Sequence, residues 1–133
     1  MNHSAEYLDN LTHSVIGCAY TVYNTLGFGF LESVYEKSLL IELQKQSILV
    51  RSQEPIKVYY NNQIVGDFYA DIIIGNQLII ELKSVANLNV PHEVQLVNYL
   101  HATSIENGLL INFGPEKVEV KRKYRTYNKT RQD

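Results

Sequence analysis

Apolar positions recur along the chain first at the spacing of a helix, then at that of a strand. Leu8, Leu11, Val15, Cys18, Val22 and Leu26 stand three or four residues apart, which predicts an amphipathic helix over residues 5–26. Gly27 and Gly29 interrupt it. Leu31, Val34, Ser38 and Leu39 form one stripe of a second helix, which Leu43 continues and which fades at Gln46-Ser47. Two helices joined by a short glycine break suggest a helical hairpin or a bent pair. After Ile48 the period changes to two. Residues 55–60 alternate, Asn61-Asn62 reads as a turn, and Ile64 resumes the pattern. Residues 67–74 and 78–83 are two further strands around Gly75-Asn76-Gln77. Pro91 suits the first turn of a helix that runs to Thr103. Residues 108–113 are an almost wholly apolar strand of the kind buried on both faces, and 117–124 read as an edge strand. The order is two helices, three or four strands, a helix, and one or two strands.

One hairpin register decides which polar residues meet. Phe68, Ala70, Ile72 and Ile74 are expected on one face of strand 67–74, and Tyr69, Asp71 and Ile73 on the other. Leu78, Ile80 and Leu82 oppose Ile79, Glu81 and Lys83 on strand 78–83. A two-residue turn at Gly75-Asn76 places Asp71 among Leu78, Ile80 and Leu82. A three-residue loop, Gly75 to Gln77, pairs 74 with 78, 72 with 80 and 71 with 81, and keeps one face apolar. A one-residue slip flips every side chain, so the buried face selects the three-residue loop. Asp71 and Glu81 then become cross-strand neighbours with Lys83 beside them.

Two carboxylates about 5 Å apart repel unless something compensates. A hard divalent cation does so, and a lysine beside it can orient or deprotonate water or meet developing phosphate charge. The same three residues also suit a surface ion pair on the solvated side of a half-buried sheet. Glu32 opens the second helix, either as favourable charge in its first turn or as a third acid. Gln95 and Tyr99 are four apart and share a helix face, for packing or for orienting a lysine, a water or a phosphate. His92 and Glu93 fit capping better than metal ligation.

Gly29, Glu32 and Tyr35 spell GxxExxY. With Leu26-Gly27, Asp71, Glu81-Leu82-Lys83, His92-Glu93, Gln95, Asn98-Tyr99-Leu100 and Asn112-Phe113-Gly114, the chain resembles the small bacterial family named after that motif. The likeness spans residues 8–124. That family is grouped with the PD-(D/E)XK nucleases. The resemblance implies an α/β (α+β) fold with a four- or five-stranded mixed sheet flanked by helices. It implies that Asp71, Glu81 and the carbonyl of Leu82 bind Mg²⁺ or Mn²⁺ and that Lys83 activates water. Glu32 becomes the helix-borne acid, Gln95 with Tyr99 the QxxxY element, and Gly29 and Tyr35 supporting residues. Ala70 stands where the superfamily name has proline. The function expected is metal-dependent hydrolysis of phosphodiester bonds, in DNA first and RNA second. The alternative is a catalytically silent module that binds nucleic acid or a protein.

Composition sharpens this picture. The chain has 133 residues, 45% of them apolar and 20% charged, which is one ordinary globular domain. It is expected over residues 1–124, with a basic tail at 125–133. The single cysteine, Cys18, reads as a small core residue. Glu6, Asp9 and His13 in the first helical stretch argue against a signal peptide, and no uncharged run reaches a membrane span, so a cytoplasmic location is expected. A homodimer through the first helix is a further possibility. The net charge of −2 hides two unlike parts. Residues 115–133 hold seven basic groups against three acidic, a net of +4, and residues 1–114 hold five against eleven, a net of −6. Lys121, Arg122, Lys123 and Arg125 are the expected contacts to a nucleic-acid backbone.

Overall fold

The computed structural model describes residues 5–125. Among these residues the order is α1 (Ala5–Leu26), α2 (Glu32–Lys45), β1 (Arg51–Tyr60), β2 (Gln63–Ile74), β3 (Leu78–Lys83), α3 (Val90–Thr103), β4 (Asn107–Phe113) and β5 (Val118–Tyr124). The strands form one five-stranded sheet in the order β1-β2-β3-β4-β5. Only β3 and β4 pair in parallel, and α3 makes the crossover between them. The mixed sheet flanked by helices is the expected fold class. The tail expected at 125–133 lies outside the described residues beyond Arg125.

Both faces of the sheet are covered. Leu11, Val15, Cys18 and Val22 of α1 and Tyr35, Leu39 and Leu43 of α2 pack on Ile72, Leu78, Ile80, Leu109 and Ile111. Leu96, Tyr99 and Leu100 of α3 pack on Ile56, Ala70, Ile73, Ile79 and Leu110 across the sheet. A strand covered on both sides carries apolar residues without alternation, and every residue of β4 is buried. Cys18 sits in the first core, as its position on the α1 stripe predicts.

Turn chemistry sets the hairpins. Asn61 and Asn62 have φ of 50° and 65°, as a tight type I′ turn requires. β4 and β5 each begin within one residue of expectation, and two strands begin four residues earlier. β1 begins at Arg51 rather than Pro55, and residues 63–74 form one strand. β1 is an edge strand, so the missing N–H of Pro55 interrupts no ladder on its outer side.

The β2–β3 register is the predicted one, with Ile72 opposite Ile80 and Ile74 opposite Leu78. The apolar face is not continuous, however. Ala70 joins the core under α3, and the Phe68 ring lies 5.7 Å from that of Tyr99. Ile72 and Ile74 join the core under α1 and α2. Strand β2 therefore changes face across Asp71. Opposite that change, Gln53 of β1 adopts φ 51°, a left-handed conformation that few side chains take inside a strand.

Candidate functional site

The site is built where the β2–β3 ladder ends. Backbone pairing stops at Ile72 and Ile80, and two carboxylates take over. The N–H of Asp71 donates to Glu81 Oε2 at 2.9 Å, and the N–H of Leu82 donates to Asp71 Oδ2 at 2.8 Å. Each acid thus accepts a backbone proton from the other's strand, which fixes the pair without neutralising it. Glu81 is only 5% exposed. Burial, then repulsion from Asp71, pushes its carboxyl from 4.5 up to about 8. Lys83 on β3 opposes that rise and Glu32 adds to it, so both charges act on the same acid. The Leu82 side chain is buried in the core between α1, α2 and the sheet.

The GxxExxY residues build the turn that delivers Glu32. Gly29 has φ 119° and Gly27 φ 69°, values open to glycine and strained for other residues. The hydroxyl of buried Tyr35 donates to the Gly27 carbonyl and accepts the N–H of Phe30 at 3.4 Å. Its ring stacks on Phe113 with centroids 4.3 Å apart. The Ser84 hydroxyl donates to the Phe30 carbonyl at 2.9 Å, tying the turn to the chain just past Lys83. Glu32 is the first residue of α2 and is exposed there. The segment after Lys83 is clamped as well. The side chain of fully buried Asn112 accepts the N–H of Val85 and donates to its carbonyl, both at 2.9 Å.

Two residues of this neighbourhood were not anticipated. Gln53 donates through Nε2 to Glu36 Oε1 at 2.7 Å and to Asp71 Oδ1 at 3.3 Å. Glu36 is one helical turn beyond Glu32, and burial followed by repulsion from Asp71 raises its carboxyl. The spacing from Glu32 was a usable signal for Glu36. Gln53 gave none, because its role depends on the left-handed kink in β1.

From the other face, α3 brings Tyr99 to the acids. Burial, Glu81 and Asp71 all raise its phenol. Gln95 lies one turn earlier and lines the same groove as Tyr99. His92 caps α3: Asn89 Oδ1 accepts the N–H of His92 at 3.3 Å, and His92 Nδ1 accepts the N–H of Asn89 at 3.4 Å. Glu93 pairs with Lys123.

The basic residues of β5 and Arg125 just beyond it are placed differently from an open strip. Arg122 pairs with Asp9 at 3.1 Å, Lys123 with Glu93, and Arg125 with Glu106 at 3.9 Å. These ties hold β5 to α1, to α3 and to the approach to β4. Lys121 is exposed and stands level with Glu81 through Leu110, about 10 Å away across two strand spacings.

The donor set suits a divalent cation bound largely through water. Among the described residues no three Asp, Glu, His or Cys side chains converge as a closed cage. Mg²⁺ does not need one, since it takes one or two carboxylates and fills its remaining positions with water and substrate oxygens. The Asp71–Glu81 pair, fixed and mutually repelling, fits that demand.

Element order and sheet order define an α/β domain with a five-stranded mixed sheet flanked by helices. The sequence profile of the PD-(D/E)XK nuclease superfamily matches residues 9–123, and the chain belongs to that superfamily. Among solved structures, the crystal structure of SSO0001 aligns with TM-score 0.56 at 20% identity, covering 90% of this chain and 59% of that one. That likeness is one of fold, and the chain spans about three-fifths of the other's length. No curated protein matches the chain in sequence. Among the described residues no helix is long and apolar enough to cross a membrane.

Proposed function

We propose that this chain is a GxxExxY-type nuclease that hydrolyses phosphodiester bonds with Mg²⁺ or Mn²⁺, acting on DNA in preference to RNA. The reading rests above all on the reciprocal lock of Asp71 and Glu81, two acids held together with Lys83 next to them. Asp71, Glu81 and the Leu82 carbonyl are the residues to hold the cation. Bound there, it supplies Lewis-acid polarisation of a phosphate and acidifies water. Lys83 orients the attacking water and meets charge that develops on the phosphate. Glu32 adds a carboxylate from the helix side, and Gln95 and Tyr99 position substrate or water from α3. Gly29 and Tyr35 act through the turn they build. Lys121, Arg122, Lys123 and Arg125 are the residues to meet a backbone phosphate, Lys121 from an exposed position and the other three by exchanging the acids they pair with.

The test is incubation of the purified protein with end-labelled single- and double-stranded DNA in Mg²⁺ or Mn²⁺. Wild type should cleave, and Lys83→Ala should fall to background with its fold intact. Equal background from both proteins overturns the catalytic reading.

A further inference from the structure

A groove of about 890 Å³ runs between the β1–β2 hairpin and α3, within the size range of ligand pockets. Tyr59, Phe68 and Tyr99 are aromatic residues of its lining, and Asn98, Lys57 and His101 are polar ones. Its position follows from two features already described. The face change at Asp71 turns Phe68 toward α3, and the register shift between Val58 and Tyr59 interrupts the hairpin ladder on the opposite strand. Gly66 completes the shape. A Cβ there would meet the Phe68 ring at 2.8 Å, so the absent side chain lets the ring lie against the strand.

Two of the rings are open to solvent, Tyr59 at 60% exposure and Phe68 at 42%, whereas Tyr99 is buried at 6%. Tyr60 and Tyr69 are exposed on the same hairpin. Exposed aromatic rings beside amide and cationic groups match a particular ligand chemistry. Nucleobases stack on rings whatever their sequence, and amides and cations meet their edges and phosphates. Bases in a duplex are stacked on one another and offer no free face, so such a groove rewards unpaired nucleotides.

The groove shares two residues with the candidate site's α3 side. It is lined by Gln95 and Tyr99, and the Tyr99 phenol feels the charges of Glu81 and Asp71. We infer that this groove seats unpaired nucleotides of a single nucleic-acid strand, with bases stacked on Tyr59 and Phe68 and the backbone led past Tyr99 toward Asp71 and Glu81. The inference rests on the nuclease reading for what happens to that strand, and on the groove alone for its binding. Lys57 is engaged by Asp67 at 3.4 Å across two exposed side chains, an ion pair weak enough to yield to a phosphate.

The experiment is photocrosslinking and binding with the full chain, without added metal so that cleavage does not intervene. A single-stranded oligonucleotide carrying 5-iodouracil is irradiated with the protein, and the crosslinked peptide is mapped by mass spectrometry. Fluorescence anisotropy measures affinity for the same strand and for its duplex. Crosslinks should fall on the 57–68 hairpin, and the single strand should bind more tightly than the duplex. Tyr59→Ala should weaken single-strand binding on the order of tenfold, as loss of one stacked base does. Tyr59→Phe should restore it, and thermal unfolding should show both variants folded. Crosslinks elsewhere, equal affinity for the duplex, or unchanged affinity of Tyr59→Ala overturn the inference. So does a dimer by light scattering that Tyr59→Ala dissolves, because the groove then seats a second copy. Crosslinking at Tyr59 without any Mn²⁺-dependent cleavage leaves the groove standing and removes the nuclease reading. Cleavage that is unaffected by Tyr59→Ala, with crosslinks elsewhere, does the reverse.

Discussion

Removing the charge of Glu81 should stabilise the metal-free protein, and the gain should depend on pH in a defined direction. Burial and Asp71 raise the Glu81 carboxyl from 4.5 to about 8. A group whose folded pKa lies above its unfolded one binds more protons in the folded state between those two values. Stability from this group is therefore fully present below about pH 4.5, declines as pH rises, and is gone above about pH 8. At about 1.4 kcal/mol per tenfold in proton affinity, the ionised form is disfavoured by at most roughly 4–5 kcal/mol. Structural relaxation and water entry reduce that, and about 2–4 kcal/mol is the expected effect. Glu81→Gln keeps an oxygen to accept the N–H of Asp71 and loses the charge. Its melting temperature in chelator should exceed that of wild type by roughly 6–15 °C near pH 9, and the two should converge near pH 5. Differential scanning fluorimetry across that range reads both. Equal melting curves at alkaline pH, or a variant less stable throughout, would refute the argument that this carboxylate is held against its preference.

Two further predictions concern the scaffold. Tyr35→Phe keeps the ring stack on Phe113 but strands the Gly27 carbonyl and the Phe30 N–H; it should lower stability by about 1–3 kcal/mol, seen as a lower urea midpoint with an unchanged slope. Asn112→Ala removes both bonds to Val85 and the 2.9 Å bond to Glu119 in a fully buried position. It should cost about 2–4 kcal/mol, read as a fall in the thermal midpoint.

Much of this arrangement was legible in the residues. The three-residue loop at Gly75-Gln77 followed from keeping apolar residues together, and the register bears it out at Ile72–Ile80 and Ile74–Leu78. The buried strand β4 followed from its unbroken apolar run. The change of face at Asp71 did not follow, because strict alternation assumes an unkinked strand and nothing in Gln53 announces φ 51°. That kink is what brings Gln53 to Asp71 and Glu36 together. The basic run of β5 was visible as charge, but its partners Asp9, Glu93 and Glu106 come from distant parts of the chain. Charge along a sequence shows supply and not pairing: three of the four groups have acidic partners in the fold. Tyr35 was visible as a motif letter, and only the fold shows that its hydroxyl closes the turn in front of Glu32.

The central claim is that Asp71 and Glu81 together form a divalent-cation site. Isothermal titration of the full chain with Mn²⁺ near neutral pH tests it most directly, because it needs no substrate. Wild type should give a saturable binding heat with proton release, since Glu81 must ionise to coordinate. Asp71→Asn and Glu81→Gln, each confirmed as folded, should abolish that heat. A wild-type titration without binding heat, or the same heat from both variants, would contradict the account.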